Sequence, residues 1–308
     1  MQAPAHLSIY DATDANRRRT WLLILLFVAF VAVLGYVLGD VWSGSSSGGF
    51  VVLPFALAVS ALSALGSYYA GDKVVLSISQ AHPVTEQQEP VLHNVVEALA
   101  IGEGLPKPTV YIIEDSAPNA FATGRDPKHA SIAVTRGLLQ KMDRTELEGV
   151  LAHEMSHVKN LDTRLMLEVA VLLGMAALLA DLILRSMFWG RGRRDRGDRG
   201  GAGAILILVG LVLAILAPVI AQLIQLAVSR QREYLADASG ALLTRYPQGL
   251  ANALRKIAAD PEALEVANKA TAPLYIANPL HDAPRAFDGL FDTHPPIQER
   301  IRRLEAMG

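Results

Sequence analysis

The chain has 308 residues, 51% of them hydrophobic, a formal net charge of −2 and no cysteine. Its length would accommodate two soluble domains, but so high an apolar content places part of the chain in lipid. The balanced charge excludes a broad nucleic-acid footprint. Without cysteine there is no disulfide, no thiol catalysis and no Cys-ligated metal, so any metal must be held by His, Asp or Glu.

Residues 1–19 form a polar tail ending in Arg17-Arg18-Arg19. Thr20–Gly39 is uncharged and mostly apolar. About 20 helical residues cross a hydrocarbon core of roughly 30 Å. The run is too long for a signal-peptide core and no small-residue cleavage site follows it, so it reads as a retained anchor. Phe50–Ala70 is a second such run, and the Ser/Gly-rich turn Val41–Gly49 joins the two. Residues 20–70 are therefore expected to form a transmembrane hairpin.

Residues 71–164 have soluble character and are expected to form the first part of a catalytic domain. Within Glu86–Ala100, Val91, Leu92, Val95, Val96 and Leu99 recur at helical spacing. Val110–Ile113 and Ala130–Thr135 are β-rich, with Ala120–Thr123 between them. A further helix opens at Asp143, with Glu146 three places on in a capping-box pattern. Leu147, Leu151 and Met155 are the residues expected to bury it.

Residues 165–229 read as a second transmembrane or re-entrant hairpin. Its first arm, Leu165–Trp189, contains Glu168, Asp181 and Arg185, which leaves a short uncharged core, Val169–Ala180. The second arm, Gly203–Ser229, carries no charge, and Pro218 is placed to kink it. The Arg/Gly-rich linker 190–201 between them has the composition of a disordered segment. Residues 230–308 are polar and read as helical, forming the second part of the catalytic domain. The expected fold class is α+β: a mostly helical membrane protein with four hydrophobic helices and a zincin-like catalytic domain carrying a small β-sheet.

The chemistry centres on His153-Glu154-Met155-Ser156-His157. Residues four apart on a helix share a face, about 5–6 Å apart at Cβ, so His153 and His157 can hold one Zn²⁺. Glu154, turned aside from the ligand pair, is the expected general base toward an attacking water. By chance alone the pattern is only a moderate signal, but it falls on a capped amphipathic helix. A catalytic zinc keeps three protein ligands, and the best source of the third is Arg230–Asp237. There Glu233 can bind the metal, and Asp237, one turn on, can accept a hydrogen bond from a ligating imidazole. The bland alternative is a solvated charged face paired with Arg230 and Arg232. Against it, this helix follows an apolar arm just as the histidine helix precedes one, so a hairpin would return the two together.

The chain resembles HtpX-like membrane metalloproteases, in the peptidase family that also includes CAAX prenyl proteases. The matching pieces are the two N-terminal membrane segments, Pro118–Gly124, the His153–His157 motif followed by Asn160 and Asp162, Glu233–Asp237, and Thr293-His294-Pro295-Pro296 with Arg300. The resemblance implies one zinc per chain held by His153, His157 and Glu233, with Glu154 catalytic. It implies that Asn119, Ala120, Phe121, Ala122 and Thr123 form an edge strand along the cleft, open to an extended substrate. It gives His294 and Arg300 a role in stabilising the oxyanion or in bracing the site. The other histidines, His82, His93, His129 and His281, lack metal spacing and read as surface or packing residues.

The expected function is a membrane zinc metalloendopeptidase acting on membrane or misfolded proteins, its quality-control role implied by the resemblance alone. The alternatives are a prenyl-protein processing protease, whose relatives have more membrane segments, and an idle scaffold with a structural zinc, which would not need Glu154. Polypeptides and the lipid bilayer are the expected partners, with no nucleic acid; nothing in the sequence fixes an oligomeric state. Arg17–Arg19, set against a turn without Lys or Arg, predicts a cytoplasmic N-terminus and a cytoplasmic catalytic domain in a multi-pass cell-membrane protein. The arginines of linker 190–201 oppose full spans for the second hairpin, but the long uncharged fourth segment favours them, and full spans are the expectation.

Overall fold

The computed structural model describes residues 9–43, 47–168, 230–267, 271–279 and 295–308. The third and fourth apolar segments beyond Glu168, the linker 190–201 and His281 and His294 lie outside the described residues.

Helices α1 (Ile9–Ser43) and α2 (Gly48–Ile78) pack against each other as the expected hairpin, each longer than its apolar run. Among the described residues one helix, Gly48–Ile78, is long and apolar enough to cross a membrane by length and composition. Up to Gly71 its buried positions are small, among them Gly49, Ala56, Ser60, Ala64, Ser67 and Gly71; only at its end are larger residues, Val75 and Leu76, buried. Its large side chains, including Phe50, Phe55, Leu62 and Tyr69, are exposed. Small residues let two helix backbones approach closely, while the outward apolar face suits a lipid surround.

The polar half is built on a four-stranded mixed sheet in the order β1-β2-β4-β3, with β1 His82–Pro83, β2 Thr109–Ile113, β3 Ala120–Thr123 and β4 Ser131–Thr135. Strands β2 and β4 run parallel, and the two outer strands pair antiparallel to them. The two-residue β1 gives no sequence period, so only its pairing with Tyr111 and Ile112 reveals it. Helix α3 (Pro90–Glu103) ends at Gly104, whose left-handed φ of 68° is that of a glycine cap. A short helix α4 (Arg136–Lys141), missed in the sequence, is capped by the Thr135 hydroxyl, which accepts from Leu138 N–H at 3.1 Å.

Helix α5 (Arg144–Lys159) carries the histidine motif and opens with the expected capping box: Asp143 Oδ1 accepts from Glu146 N–H at 2.9 Å and Glu146 Oε2 from Asp143 N–H at 2.8 Å. Leu147, Leu151 and Met155 are buried as expected. After α5 the chain turns and is helical again over 162–168. The second part supplies α6 (Arg230–Thr244), α7 (Pro247–Ala259) and α8 (Ile297–Glu305). The expectation of helix throughout this part needs correction. Residues 260–267 and 271–279 hold only one short 3₁₀ turn, Ala272–Leu274, because Pro261, Pro273 and Pro279 interrupt any helix.

Two apolar clusters position the site. One joins α3, α5, α7 and α8 to one face of the sheet through Val96, Ile132, Leu151, Leu254 and Leu304. The other joins the end of α2 to the opposite face through Val75, Leu76, Ile113, Phe121, Leu167 and Tyr275. The membrane-type hairpin is thus packed directly onto the sheet that borders the site.

Candidate metal centre

His153 and His157 project from adjacent turns of α5, and Glu233 faces them from α6. These helices meet closely because Gly240 and Ala236 line α6: a Cβ on Gly240 would lie 2.9 Å from the His153 amide nitrogen. Any larger residue there would push the ligand helices apart. His153, His157 and Glu233 are 1%, 5% and 2% exposed, and one potential ligand atom from each lies within 4.8 Å of the others.

The two imidazole Nε2 atoms face each other at 3.1 Å. Glu233 Oε2 is 3.7 Å from His153 Nε2, and Glu233 Oε1 is 3.5 Å from His157 Nε2. Each ring's other nitrogen is engaged: His153 Nδ1 lies 2.9 Å from Asp237 Oδ1, and His157 Nδ1 lies 2.9 Å from Asp162 Oδ2. A carboxylate at Nδ1 holds the ring proton there and turns the Nε2 lone pair inward. Two facing lone pairs beside a carboxylate repel one another unless a cation sits among them. Ligands at 2.0–2.1 Å from a tetrahedral zinc lie about 3.3 Å apart, which the observed separations match. The residues therefore fit a metal of this kind.

Burial works to lower the His157 pKa, but the Glu233 and Asp162 carboxylates outweigh it and raise it to about 9. Burial, reinforced by the Arg300 charge, lowers His153 to about 4. The two rings are thus driven in opposite directions by their surroundings.

Glu154 is 2% exposed, and burial, with Glu233 adding to it, raises its pKa to about 8. Its Oε2 accepts the Ala122 backbone N–H at 2.8 Å, while its Oε1 is buried with no hydrogen-bond partner among the described residues. Such an orphaned oxygen is costly unless a group absent from the metal-free chain meets it. On Asp237, burial opposes ionisation, but Arg300 and His153 hold the pKa down at about 2. Arg300, 1% exposed, grips Asp237 through Nε at 2.9 Å and Nη2 at 2.7 Å, and donates from Nη1 to Ile276 O at 2.7 Å. Its donors thus bind the carboxylate behind His153 and the loop beside it, and Nη1 lies 3.7 Å from Glu233 Oε2.

Strand β3 is an edge strand, as expected, but shorter and less open. It starts at Ala120; Asn119 precedes it and donates from Nδ2 to Ala277 O at 3.2 Å. Ala120 O accepts from Ile276 N–H at 2.9 Å, Phe121 bridges Tyr275, and their rings meet edge-on at 5.0 Å. Half of the outer edge is therefore taken by the chain's own 271–279 segment. The Ala122–Thr123 end adjoins Glu154, and the buried Thr123 hydroxyl has no partner among the described residues. Of the remaining histidines, His93 packs with Nε2 on Val84 O at 2.9 Å, and exposed His129 pairs with Asp126 at 2.7 Å.

Sequence reasoning missed the contact of Asp162 with His157 and the closeness set by Gly240. The small residues at Ala236 and Gly240, four apart, are the signal for the second. His294 lies outside the described residues, so of the two residues expected to support the site only Arg300 is described.

The profile of Peptidase family M48 matches residues 86–308. A protease HtpX homolog from Dictyoglomus turgidum is 44% identical, covering 98% of this chain and 95% of its own length. Those from Thermoanaerobacter pseudethanolicus and Listeria monocytogenes are 46% and 45% identical, each over 97% of this chain and 98% and 100% of their own lengths. The crystal structure of S. mikatae Ste24p aligns over 92% of this chain and 66% of that one at 18% identity and a TM-score of 0.47, a likeness that adds nothing to the assignment. With a family match over most of its length and relatives this similar from end to end, the chain belongs to peptidase family M48 and is a membrane-associated metalloprotease acting on polypeptides.

Proposed function

We propose that the chain is a zinc-dependent endopeptidase that hydrolyses peptide bonds of membrane or misfolded proteins. His153, His157 and Glu233 hold one zinc, with Glu154 as general base. The observation that carries this reading is the pair of Nε2 atoms facing each other at 3.1 Å, each ring backed at Nδ1 by a carboxylate. A zinc ion bound there supplies Lewis acidity toward the scissile carbonyl and a nucleophilic water near neutral pH. Glu154 Oε1, without a partner among the described residues and adjoining the ligands, takes the proton from the attacking water and delivers it to the leaving amine. Asp237 and Asp162 fix the tautomers of the two ligand rings, and Arg300 braces Asp237. The backbone at Ala122–Thr123 aligns an extended substrate by main-chain hydrogen bonds, and Asn119 anchors the strand.

The retained Glu154 favours this reading over an idle scaffold, since a structural metal needs no base. Casein cleavage by the detergent-purified chain tests it: a chelator is expected to abolish cleavage and added Zn²⁺ to restore it. Cleavage that survives zinc removal would contradict the reading, and strict preference for lipidated over unlipidated peptides would favour prenyl-protein processing.

For the membrane, the proposal is a multi-pass protein of the cell membrane with the catalytic residues on the cytoplasmic side. The supports are Arg17–Arg19 before α1 and the outward apolar face of α2. The natural absence of cysteine allows a clean test. Exposed Ser47 and Gln87 can each be changed to cysteine and probed in sealed cells with an impermeant thiol reagent. Labelling is expected for Ser47→Cys, and for Gln87→Cys only after lysis. Labelling of Gln87→Cys in intact cells would reverse the topology.

A further inference from the structure

Asp162, whose Oδ2 meets His157 Nδ1, is itself held from the far end of the chain. Asn16, on the first turns of α1 just before the arginine run, is 1% exposed. Its Nδ2 donates to Asp162 Oδ1 at 2.6 Å and to Asn160 O at 3.0 Å. Both partners can only accept, so the amide must present its nitrogen, and the two Nδ2 hydrogens are both used. The backbone around Asn16 is fixed in turn: the buried Thr20 hydroxyl donates to Asn16 O at 2.9 Å, one turn on. A further contact to the same carboxylate oxygen, Arg232 Nε at 3.7 Å, is too long for a direct hydrogen bond.

We infer that Asn16 is a positioning residue for the metal centre, acting through Asp162 on His157. It ties the helix that enters the membrane to the metal ligand. The inference rests on the reading of His153, His157 and Glu233 as metal ligands. A carboxylate hydrogen-bonded on one oxygen by His157 and left free on the other can rotate about its χ2. Asn16 removes that freedom by gripping Oδ1, so that Oδ2 stays aimed at Nδ1 and the His157 Nε2 lone pair stays aimed at the metal. Residue 16 stands in a tail that carries no catalytic motif. The grip makes metal loading depend on correct docking of α1 against the end of α5.

The test is the affinity of the full-length, detergent-purified protein for Zn²⁺, measured by competition with a chromophoric chelator. Loss of a partner behind a metal ligand typically costs 10–100-fold in affinity. Asn16 acts one step further back, so Asn16→Ala is expected to weaken zinc binding by about 3- to 10-fold, and Asp162→Ala by more. In an Asp162→Ala background, Asn16→Ala should have no further effect, because both act through one carboxylate. Asn16→Leu, close in volume, gives the same reading should the alanine variant fail to assemble. Wild-type affinity in both Asn16 variants, or an equal loss with and without Asp162, would overturn the inference. Absence of zinc binding by the wild type would instead overturn the metal reading on which it rests.

Discussion

Over residues 49–71 helix α2 turns its large apolar residues outward, whereas helix α5 turns its few large apolar residues inward. Along α2 the buried seam is Gly49, Ala56, Ser60, Ala64, Ser67 and Gly71, while Phe55, Leu62 and Leu65 stand exposed. Along α5 the large residues Leu147, Leu151 and Met155 are buried and hold the helix in the core. In water the second pattern is driven by burial of apolar area. The first gains nothing from water and depends on close backbone packing and an apolar surround. The same chain thus carries two kinds of packing, and the metal centre lies within the second.

The comparison sharpens first at the metal centre itself, whose order depends on the polar pairing of the water-type half. Glu233→Ala should lose most zinc affinity, since it removes one of three ligands. Asp237→Ala should lose about 10–100-fold, since it leaves the ligands and frees the His153 ring. Zinc competition measures both. Equal affinity in the Glu233 variant would move the third ligand elsewhere. The packing contrast predicts the next largest effect. Leu151→Ala, at a wholly buried position, should destabilise the catalytic half by about 2–5 kcal/mol. Leu62→Ala, at a residue of α2 that is 69% exposed, leaves no cavity and should shift the unfolding temperature in detergent little. A large loss from the Leu62 change would mean that this face packs against protein and not lipid.

The smallest predicted effect is a proton count. In the metal-free chain the pKa of His157 is raised to about 9, so at pH 7 it is charged, whereas a ligating imidazole must be neutral. Zinc binding at pH 7 should therefore release about one proton from this ring, and affinity should fall as pH falls below 9. Calorimetry in buffers of different ionisation enthalpy reads the count, and zero release would show His157 already neutral.

What the sequence made legible is local. The capping box at Asp143 and Glu146, the two histidines one turn apart and the Glu233–Asp237 pair each depend on helical spacing alone, and the structure has each of them in that arrangement. Strands β2 and β4 were legible from β-rich runs, while β3 was marked as an edge strand only by the family resemblance. Contacts between distant segments carried no such period. Asn16 and Asp162 are 146 residues apart, and nothing in a polar tail announces a partner there. The pairing of Tyr275 and Ile276 with β3 was hidden for the same reason, since prolines mark where a helix fails but not what replaces it.

The central claim is that Glu154 is the base of a zinc site formed by its neighbours and not a ligand of it. Glu154→Gln keeps the shape of the side chain and removes its ability to take a proton. Zinc content and casein cleavage measured on the same preparation, beside the unaltered chain, separate the two roles. The variant should keep one zinc per chain and lose about 10²–10⁴-fold or more in cleavage rate. Cleavage at the normal rate would contradict the assignment of the base, and loss of the zinc along with the activity would make Glu154 part of the metal's own coordination.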